Sequence, residues 1–172
     1  MEKTLNVAKA LYTMYYNMTG EYMDEMRMHK LMYFSQREAL MNDNEPLFDG
    51  DFYGWKYGPV LKEVRSAYHN DEFCVESQCC VEDNTKKILK AVINRYSAMS
   101  SWKLSSLSHG EFSWKKARQG LKYDDNGDVK LLIDAIRVDA VLEKVNRRKD
   151  ERLKQLKAQK AKEKKAEEKC YD

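Results

Sequence analysis

The sequence predicts a mainly α-helical protein, with a compact domain of about six helices and a short extended segment over residues 1–142, followed by a charged helical tail over residues 143–172. Three observations support this expectation. Apolar residues recur every three or four positions along most of the first part. Asn, Asp, Gly and Pro concentrate in the connections, most clearly in residues 42–59. Beyond Leu142 the strong helix formers Ala, Lys, Glu, Gln and Arg dominate.

Two helices are predicted at the amino terminus. Thr4 can cap the start of the first helix and Gly20 can end it, while Asp24 can cap the second. The second helix is apolar over more than one stripe, because Tyr33 and Phe34 widen its face, so we expect it to lie centrally. The residues that share one face are Ala8, Leu11, Tyr12, Tyr15 and Met18 in the first helix, and Met28, Leu31, Met32, Ser35 and Ala39 in the second.

A short extended segment is expected at residues 52–57, where aromatic residues alternate with other types. Gly58 followed by Pro59 resembles the start of a helix, because proline is tolerated in a first turn where its missing N–H would have no partner. We therefore expect a third helix to begin there. Its buried face is supplied by Val60, Leu61, Val64, Ala67 and Tyr68.

Residues 70–83 are expected to form an acidic connection that could include a brief strand at residues 73–75. Asp83 or Asn84 can cap a fourth helix that runs to Met99. Ser100 or Ser101 can then open a shorter fifth helix, whose apolar residues are Trp102, Leu104 and Leu107.

Two further helical segments complete the predicted domain. Ser113 can cap a turn through Trp114 and Ala117 that is closed by Gly120. Asp128 can cap the last helix of the domain, since residues 124–127 read Asp-Asp-Asn-Gly and signal a turn. The apolar face of that helix comprises Val129, Leu132, Ile133, Ile136 and Ala140.

Charge is distributed unevenly along the chain. The formal net charge is +3, but residues 1–142 hold 19 Lys and Arg against 21 Asp and Glu, whereas residues 143–172 hold 12 against 7. A basic tail on a mildly acidic body is more often a solvated charged helix, and the alternative is a segment that meets an acidic protein surface or nucleic acid. A stable homodimeric coiled coil is not expected, because the apolar repeat of the tail fails after about two turns.

The expected location is the cytoplasm. No apolar run approaches the roughly 20 residues that span a bilayer, and residues 2–4 do not resemble a secretion signal. The four cysteines, Cys74, Cys79, Cys80 and Cys170, lack the spacing of a zinc site and suit a reducing compartment. The adjacent pair Cys79 and Cys80 could still respond to oxidants.

No catalytic, metal or cofactor site is predicted. The three histidines, His29, His69 and His109, lie in no nucleophile elbow or H-E-x-x-H motif, and no phosphate-binding glycine loop follows a strand. His109 stands in a segment where side chains often act, but it can equally bond the last carbonyls of a helix. The acidic clusters at residues 49–51 and 124–128 are explained by turns.

Three segments together resemble one known family. The first is Lys-Leu-Met-Tyr-Phe-Ser-Gln at residues 30–36, and the second is Phe-Tyr-Gly-Trp-Lys-Tyr-Gly-Pro-Val at residues 52–60, with Val64 and Tyr68. The third comprises Leu-Ser-Ser-Leu-Ser-His-Gly-Glu at residues 104–111 and Trp-Lys-Lys-Ala-Arg at residues 114–118. In their order and spacing they are similar to the Panacea domain, also known as SocA-like or GepA-type and often phage-associated, over roughly residues 5–140.

The resemblance implies an antitoxin that neutralises a toxin, encoded by a neighbouring gene, through direct protein contact and without catalysis. In one branch of the family the protein is instead an adaptor that delivers the toxin to a protease. A phage-associated regulator that binds nucleic acid through the basic tail ranks below both. The expected partner-binding residues are Tyr33, Tyr53, Trp55, Tyr57, Ser108, His109, Trp114 and Arg118, with Gly58, Pro59 and Val60 as a structural motif.

The aromatic residues of the second segment have two possible roles. Aromatic side chains at regular spacing usually belong to a core, and this is the commoner role for a residue such as Trp55. Tyr and Trp also anchor protein interfaces, so an exposed subset would indicate a binding surface.

Overall fold

The fold was obtained as a computed structural model that describes residues 1–75, 80–122 and 124–168, the last five for their backbone only. Within these ranges it contains seven helices and one two-stranded sheet, which confirms the mainly helical class. The elements are α1 (Thr4–Thr19), α2 (Glu25–Asp43), β1 (Phe52–Trp55), β2 (Gly58–Leu61), α3 (Lys62–His69), α4 (Asp83–Tyr96), α5 (Ser101–His109), α6 (Phe112–Ala117) and α7 (Ile133–Glu168).

The chain divides into two compact units, Met1–Ala140 and Val141–Asp172. The predicted boundary after residue 142 stays a prediction. In the second unit the described backbone is helical, as expected for the tail, and Arg147 Nε donates to Glu143 Oε1 over 2.7 Å. Five apolar side chains of this unit are exposed: Val141, Leu142, Val145, Leu153 and Leu156.

Helix α2 lies at the centre of the first unit, as its broad apolar face predicts. Every residue from Met28 to Leu40 is buried, and the helix packs against α1, α3, α4, α5 and β2. Its start is fixed as expected, since the Asp24 carboxylate accepts a hydrogen bond from the Arg27 N–H over 2.8 Å. A helix surrounded on all sides can bury polar side chains only where its neighbours offer them partners.

The expected helix start at Pro59 is wrong, because Gly58–Leu61 forms strand β2 and α3 begins only at Lys62. Antiparallel pairing with β1 outweighs the preference of Pro59 for a first helical turn. In this pairing Trp55 lies opposite Gly58, and Phe52 lies opposite Leu61. Lys56 and Tyr57 form the turn between them.

Residues 129–131 protect the other edge of β1. The Gly54 N–H donates to the Val129 carbonyl over 2.9 Å, and the Leu131 N–H donates to the Phe52 carbonyl over 2.7 Å. This arrangement explains a second error, because the segment after Asp128 pairs with β1 and α7 starts at Ile133. Asp128 instead accepts hydrogen bonds from Trp55 Nε1 and Lys62 Nζ, over 3.0 and 2.7 Å.

Some of the other predicted helix ends are confirmed and others are wrong. Gly20 ends α1 in the left-handed conformation and the Ser100 hydroxyl caps α5, as expected. Thr4 and Ser113 do not cap, because they lie inside their helices. The expected cap of α4 at Asp83 or Asn84 is wrong, because both residues lie inside the helix, which follows Glu82 and stops at Tyr96, short of Met99. Residues 73–75 form no strand.

A buried carboxylate joins α7, α6 and α2. Asp139 is 2% exposed and accepts hydrogen bonds from the Phe112 and Ser113 N–H groups, over 2.6 and 2.9 Å. The Tyr33 hydroxyl donates to the same carboxylate over 2.9 Å and lies 2.9 Å from the Ser113 hydroxyl. Asp139 therefore supplies the cap of α6 from a distant part of the chain. No local sequence signal predicts this cap.

We predict that Asp139→Ala lowers the free energy of unfolding by about 3 kcal/mol, because three donors, two of them in buried hydrogen bonds, lose their acceptor together. Urea unfolding followed by circular dichroism would measure it. Asp134→Ala is the matched control on α7, since its side chain is 90% exposed, and it should cost less than about 0.5 kcal/mol. Equal losses in the two variants would contradict the capping role.

Candidate functional site

The turn of the hairpin is held by side chains from α5 and α6. The Ser105 hydroxyl donates to the Tyr57 carbonyl over 2.8 Å, and Trp114 Nε1 donates to the Trp55 carbonyl over 2.9 Å. The Arg118 guanidinium donates to the Gly54 carbonyl over 3.1 Å. Three carbonyls within four residues are thus each bound by a different side chain, so the turn is fixed in position rather than left to its short ladder.

Lys30 supports the hairpin from below. Its side chain is 1% exposed, and its Nζ donates to the Pro59 carbonyl over 3.1 Å. Gly58 crosses directly above it with φ of +108°, a conformation that residues with a Cβ rarely adopt. A Cβ there would lie 2.6 Å from Lys30 Cε and would also collide with the Ser108 hydroxyl. Gly58, Lys30 and Ser108 therefore fit only as a set.

Arg118 also organises the loop after α6. Its guanidinium donates to the carbonyls of Lys122, Asp125 and Asn126, over 3.1, 2.7 and 3.1 Å. It stacks over the Trp114 ring at 5.2 Å from the ring centroid, and the residue is only 8% exposed. The donors of a guanidinium are arranged in a fixed plane, which allows one side chain to link the loop to the hairpin.

His109 packs flat on Trp114, with ring centroids 4.2 Å apart and planes 13° from parallel. Its Nε2 lies 3.4 Å from the Ser105 hydroxyl oxygen, a pair that could suggest an activated nucleophile. Ser105 is 2% exposed, however, and its proton is engaged by the Tyr57 carbonyl. Burial lowers the pKa of His109, helped by the positive charge of Lys30. The geometry therefore explains this pair as part of the hairpin support.

The outer face of the hairpin is aromatic. Tyr53 and Trp55 are half-buried, because Lys62 Nζ lies 3.9 Å from the Tyr53 ring centroid and the Arg65 guanidinium lies 5.2 Å from that of Trp55. Tyr57 at the turn is 46% exposed. The extended segment expected here is confirmed for Phe52–Trp55, in which Phe52 and Gly54 are buried.

Trp102 extends this aromatic face, although sequence reasoning assigned it to the apolar face of a helix. It is 63% exposed, and its ring meets that of Tyr57 edge-on with centroids 5.6 Å apart. Helical spacing could have revealed this, because Trp102 lies about 200° around α5 from the buried Leu104. We call Tyr53, Trp55, Tyr57 and Trp102 the hairpin surface.

The predicted partner-binding residues thus fall into two groups. Tyr33 and Ser108 are completely buried and Arg118 nearly so, as are the motif residues Gly58, Pro59 and Val60; these side chains position the hairpin. Tyr57 is exposed, and the half-buried residues are Tyr53, Trp55, His109 and Trp114.

The described part of the chain, including the hairpin, holds no group of three or more His, Cys, Asp or Glu side chains that could bind a metal ion. Cys74 and Cys80 are exposed and unbridged, while Cys79 and Cys170 lie outside the described residues. No described helix is both long enough and apolar enough to cross a membrane.

The comparisons with known proteins returned one family. The model of the family described as antitoxin SocA-like, Panacea domain, matches residues 28–115, just over half of the chain. The matched stretch runs from α2 through the hairpin to α6, and it includes Lys30, Gly58 and Trp114 but not Arg118 or the tail. No curated protein and no solved structure matches.

We predict that Gly58→Ala lowers the free energy of unfolding by about 2–5 kcal/mol, because both the backbone conformation and the contact with Lys30 become strained. Gly20→Ala is the control: Gly20 also has positive φ, +76°, but faces open space. Its cost should be near 1 kcal/mol. Denaturant unfolding would compare them, and an equal cost would mean that the packing around Lys30 is loose.

We predict that Lys30 makes stability rise with pH. Burial lowers the pKa of Lys30 from 10.5 to about 7, so between these values the unfolded chain binds a proton that the folded chain lacks. The free energy of unfolding should therefore increase by about 1 kcal/mol per unit between pH 7 and 9. Lys30→Met should remain folded, since an apolar side chain suits this site, and should lose the slope. The exposed Lys103→Met should keep it, and a slope that survives in Lys30→Met would refute the assignment.

Proposed function

This chain belongs to the antitoxin SocA-like, Panacea domain family, and we propose that it is an antitoxin that neutralises its toxin by direct protein contact, without catalysis of its own. The partner proposed is the protein toxin encoded by a neighbouring gene. The proposed setting is the cytoplasm of a bacterial cell, in a phage-associated pair. What supports the proposal is the family together with the form of the hairpin surface.

The exposed pair Tyr57 and Trp102 is the observation on which the proposal chiefly rests. Large aromatic side chains contribute disproportionately to binding energy in protein interfaces. Here Trp102, which is 63% exposed, lies beside the exposed Tyr57. The edge-on contact of the two rings defines a ridge that a partner's pocket or groove can enclose.

Rigid support makes these side chains better anchors. The backbone of Tyr57 is bonded by Ser105 and that of Trp55 by Trp114, so the hairpin does not have to be ordered when a partner arrives. Binding to a preorganised surface avoids the entropic cost of fixing a mobile loop. The buried signature residues thus act indirectly, because they hold the aromatic residues in place.

A second candidate function is that of an adaptor which hands a bound toxin to a protease. The second unit favours this alternative, because exposed apolar side chains such as Leu142, Leu153 and Leu156 stand among many charges and remain available for another protein. An antitoxin that only occludes its toxin does not need such a segment.

We predict that Tyr57→Ala and Trp102→Ala each weaken the complex with the toxin about 30- to 1,000-fold, because each removes an aromatic anchor. Affinity would be measured by calorimetry on the copurified pair, and rescue of growth on co-expression with the toxin. Tyr22→Ala is the matched control, since Tyr22 is 71% exposed in the α1–α2 connection.

The same experiment separates the alternatives. Direct neutralisation predicts a stable complex in which the toxin persists, whereas the adaptor function predicts rescue with a shortened toxin half-life. A product of the neighbouring gene that is not toxic, or toxicity that persists when this protein is present, would refute the antitoxin function.

A further inference from the structure

A cavity of about 170 Å³ opens beside the hairpin turn. Its walls come from α2, the hairpin, α3 and Asn126, and they include Trp55 and Tyr57 of the hairpin surface. The volume corresponds to several water molecules, at roughly 30 Å³ each in the liquid, so it can hold a small polar group. The groups that line it determine which one.

Lys30 lines this cavity with a cationic side chain that lacks a counter-ion. It is 1% exposed, its one protein acceptor is the Pro59 carbonyl, and it forms no ion pair with any residue of the described ranges. An ammonium group has three donors, and burying one without an opposite charge is costly. The cavity therefore contains a positive charge that an incoming anion would balance.

His29 lines the same cavity with a donor whose closest acceptor lies beyond normal hydrogen-bond distance. Its Nδ1 accepts a hydrogen bond from the Leu61 N–H over 3.4 Å, so Nε2 carries the proton of the neutral ring. That Nε2 is buried without a hydrogen-bond partner among the described residues, and the closest carboxylate oxygen, Glu25 Oε1, is 3.6 Å away. Burial lowers the pKa of His29, which favours the neutral form.

The remaining charges at the cavity are already balanced. Glu25 binds the Arg65 guanidinium over 2.6 Å, and His29 and Arg65 hold the pKa of this carboxyl at about 2. Lys56 is paired with Asp124 over 2.9 Å. Lys30 therefore supplies the excess charge, which suits one monoanion rather than a phosphate dianion.

We propose that this cavity binds a carboxylate group, whose two oxygens accept hydrogen bonds from Lys30 and His29. The carboxylate could belong to an acidic residue of a bound protein or to a free small carboxylic acid. In the first case the proposal rests on the proposed function, and it specifies the partner: an acidic residue enters the cavity while neighbouring residues pack on Tyr57.

Carboxylate binding should depend on pH. Since the pKa of Lys30 is about 7, its charged form is the binding-competent one, and a bound anion would raise that pKa. Affinity should then fall about 50-fold between pH 7 and pH 9, in proportion to the protonated fraction. The titratable and charged groups around Lys30 are Asp24, Glu25 and His29 on α2, Arg65 on α3, Lys56 in the turn, and His109 on α5.

The first experiment titrates the full chain with acetate at constant ionic strength and follows the Trp55 indole and His29 imidazole signals by NMR. Acetamide, which has the same shape and no charge, is the matched control probe. We expect saturable shifts with acetate, a weaker affinity at pH 9, and no saturable shift with acetamide. Equal responses to the two probes, or no saturation by acetate, would overturn the proposal.

The second experiment tests the residue. Lys30→Met should abolish acetate binding, whereas Lys103→Met should keep it, with folding of both checked by denaturant unfolding. If Lys30→Met does not fold, nitrogen-detected NMR of Lys30 Nζ in the unaltered protein replaces it. Saturating acetate should then raise the pKa of Lys30, and an unchanged pKa would overturn the proposal.

The third experiment identifies the source of the carboxylate by adding acetate to the complex with the neighbouring gene's product. Loss of acetate binding in the complex supports an acidic residue of the partner, whereas retained binding supports a free carboxylic acid. If no complex forms, the proposed function fails, while acetate binding by the protein alone still decides the cavity.

Discussion

The requirement that the hairpin carbonyls be bonded is the constraint on which the rest of the structure depends. Two strands of four residues are too few to stand alone in water. Four carbonyls, those of residues 54, 55, 57 and 59, are bound by side chains from α6, α5 and α2 or their ends. The positions of Tyr53, Trp55 and Tyr57 on the hairpin surface follow from these bonds.

This constraint accounts for the unusual polarity of the interior. Helix α2 brings Lys30 to the Pro59 carbonyl and Tyr33 to Asp139, which in turn caps α6. Because α6 carries Trp114, the cap and the hairpin belong to one hydrogen-bonded network. Such a network is stabilising only when nearly all its members are satisfied. Lys30 supports the hairpin through the Pro59 carbonyl, and its charge without a counter-ion is what the proposed carboxylate site would account for.

Much of this fold could be predicted from the sequence, because α1, α2 and α5 have local signals: helical spacing, the Asp24 and Ser100 caps, and Gly20. The first strand is expected from the sequence as an extended segment, but the second strand could not be predicted, since Pro59 has the same local preference in a first helical turn as in this strand. The late start of α7 has a similar cause, because Asp128 is bound by Trp55 and Lys62 from 73 and 66 residues away. The cavity could not be predicted either, because only the folded structure shows that Lys30 is buried without a counter-ion.

The division between buried and exposed aromatic residues bears on how one fold can serve different partners. A side chain that bonds a backbone carbonyl in the interior, as Arg118 or Trp114 does, fixes the hairpin but carries no information about what binds outside. The side chains of Tyr57 and Trp102 are exposed and bond none of these carbonyls, so they can change without loss of the support. Buried residues of this kind identify the scaffold, whereas under the proposed function the exposed residues and the cavity beside them would choose the partner.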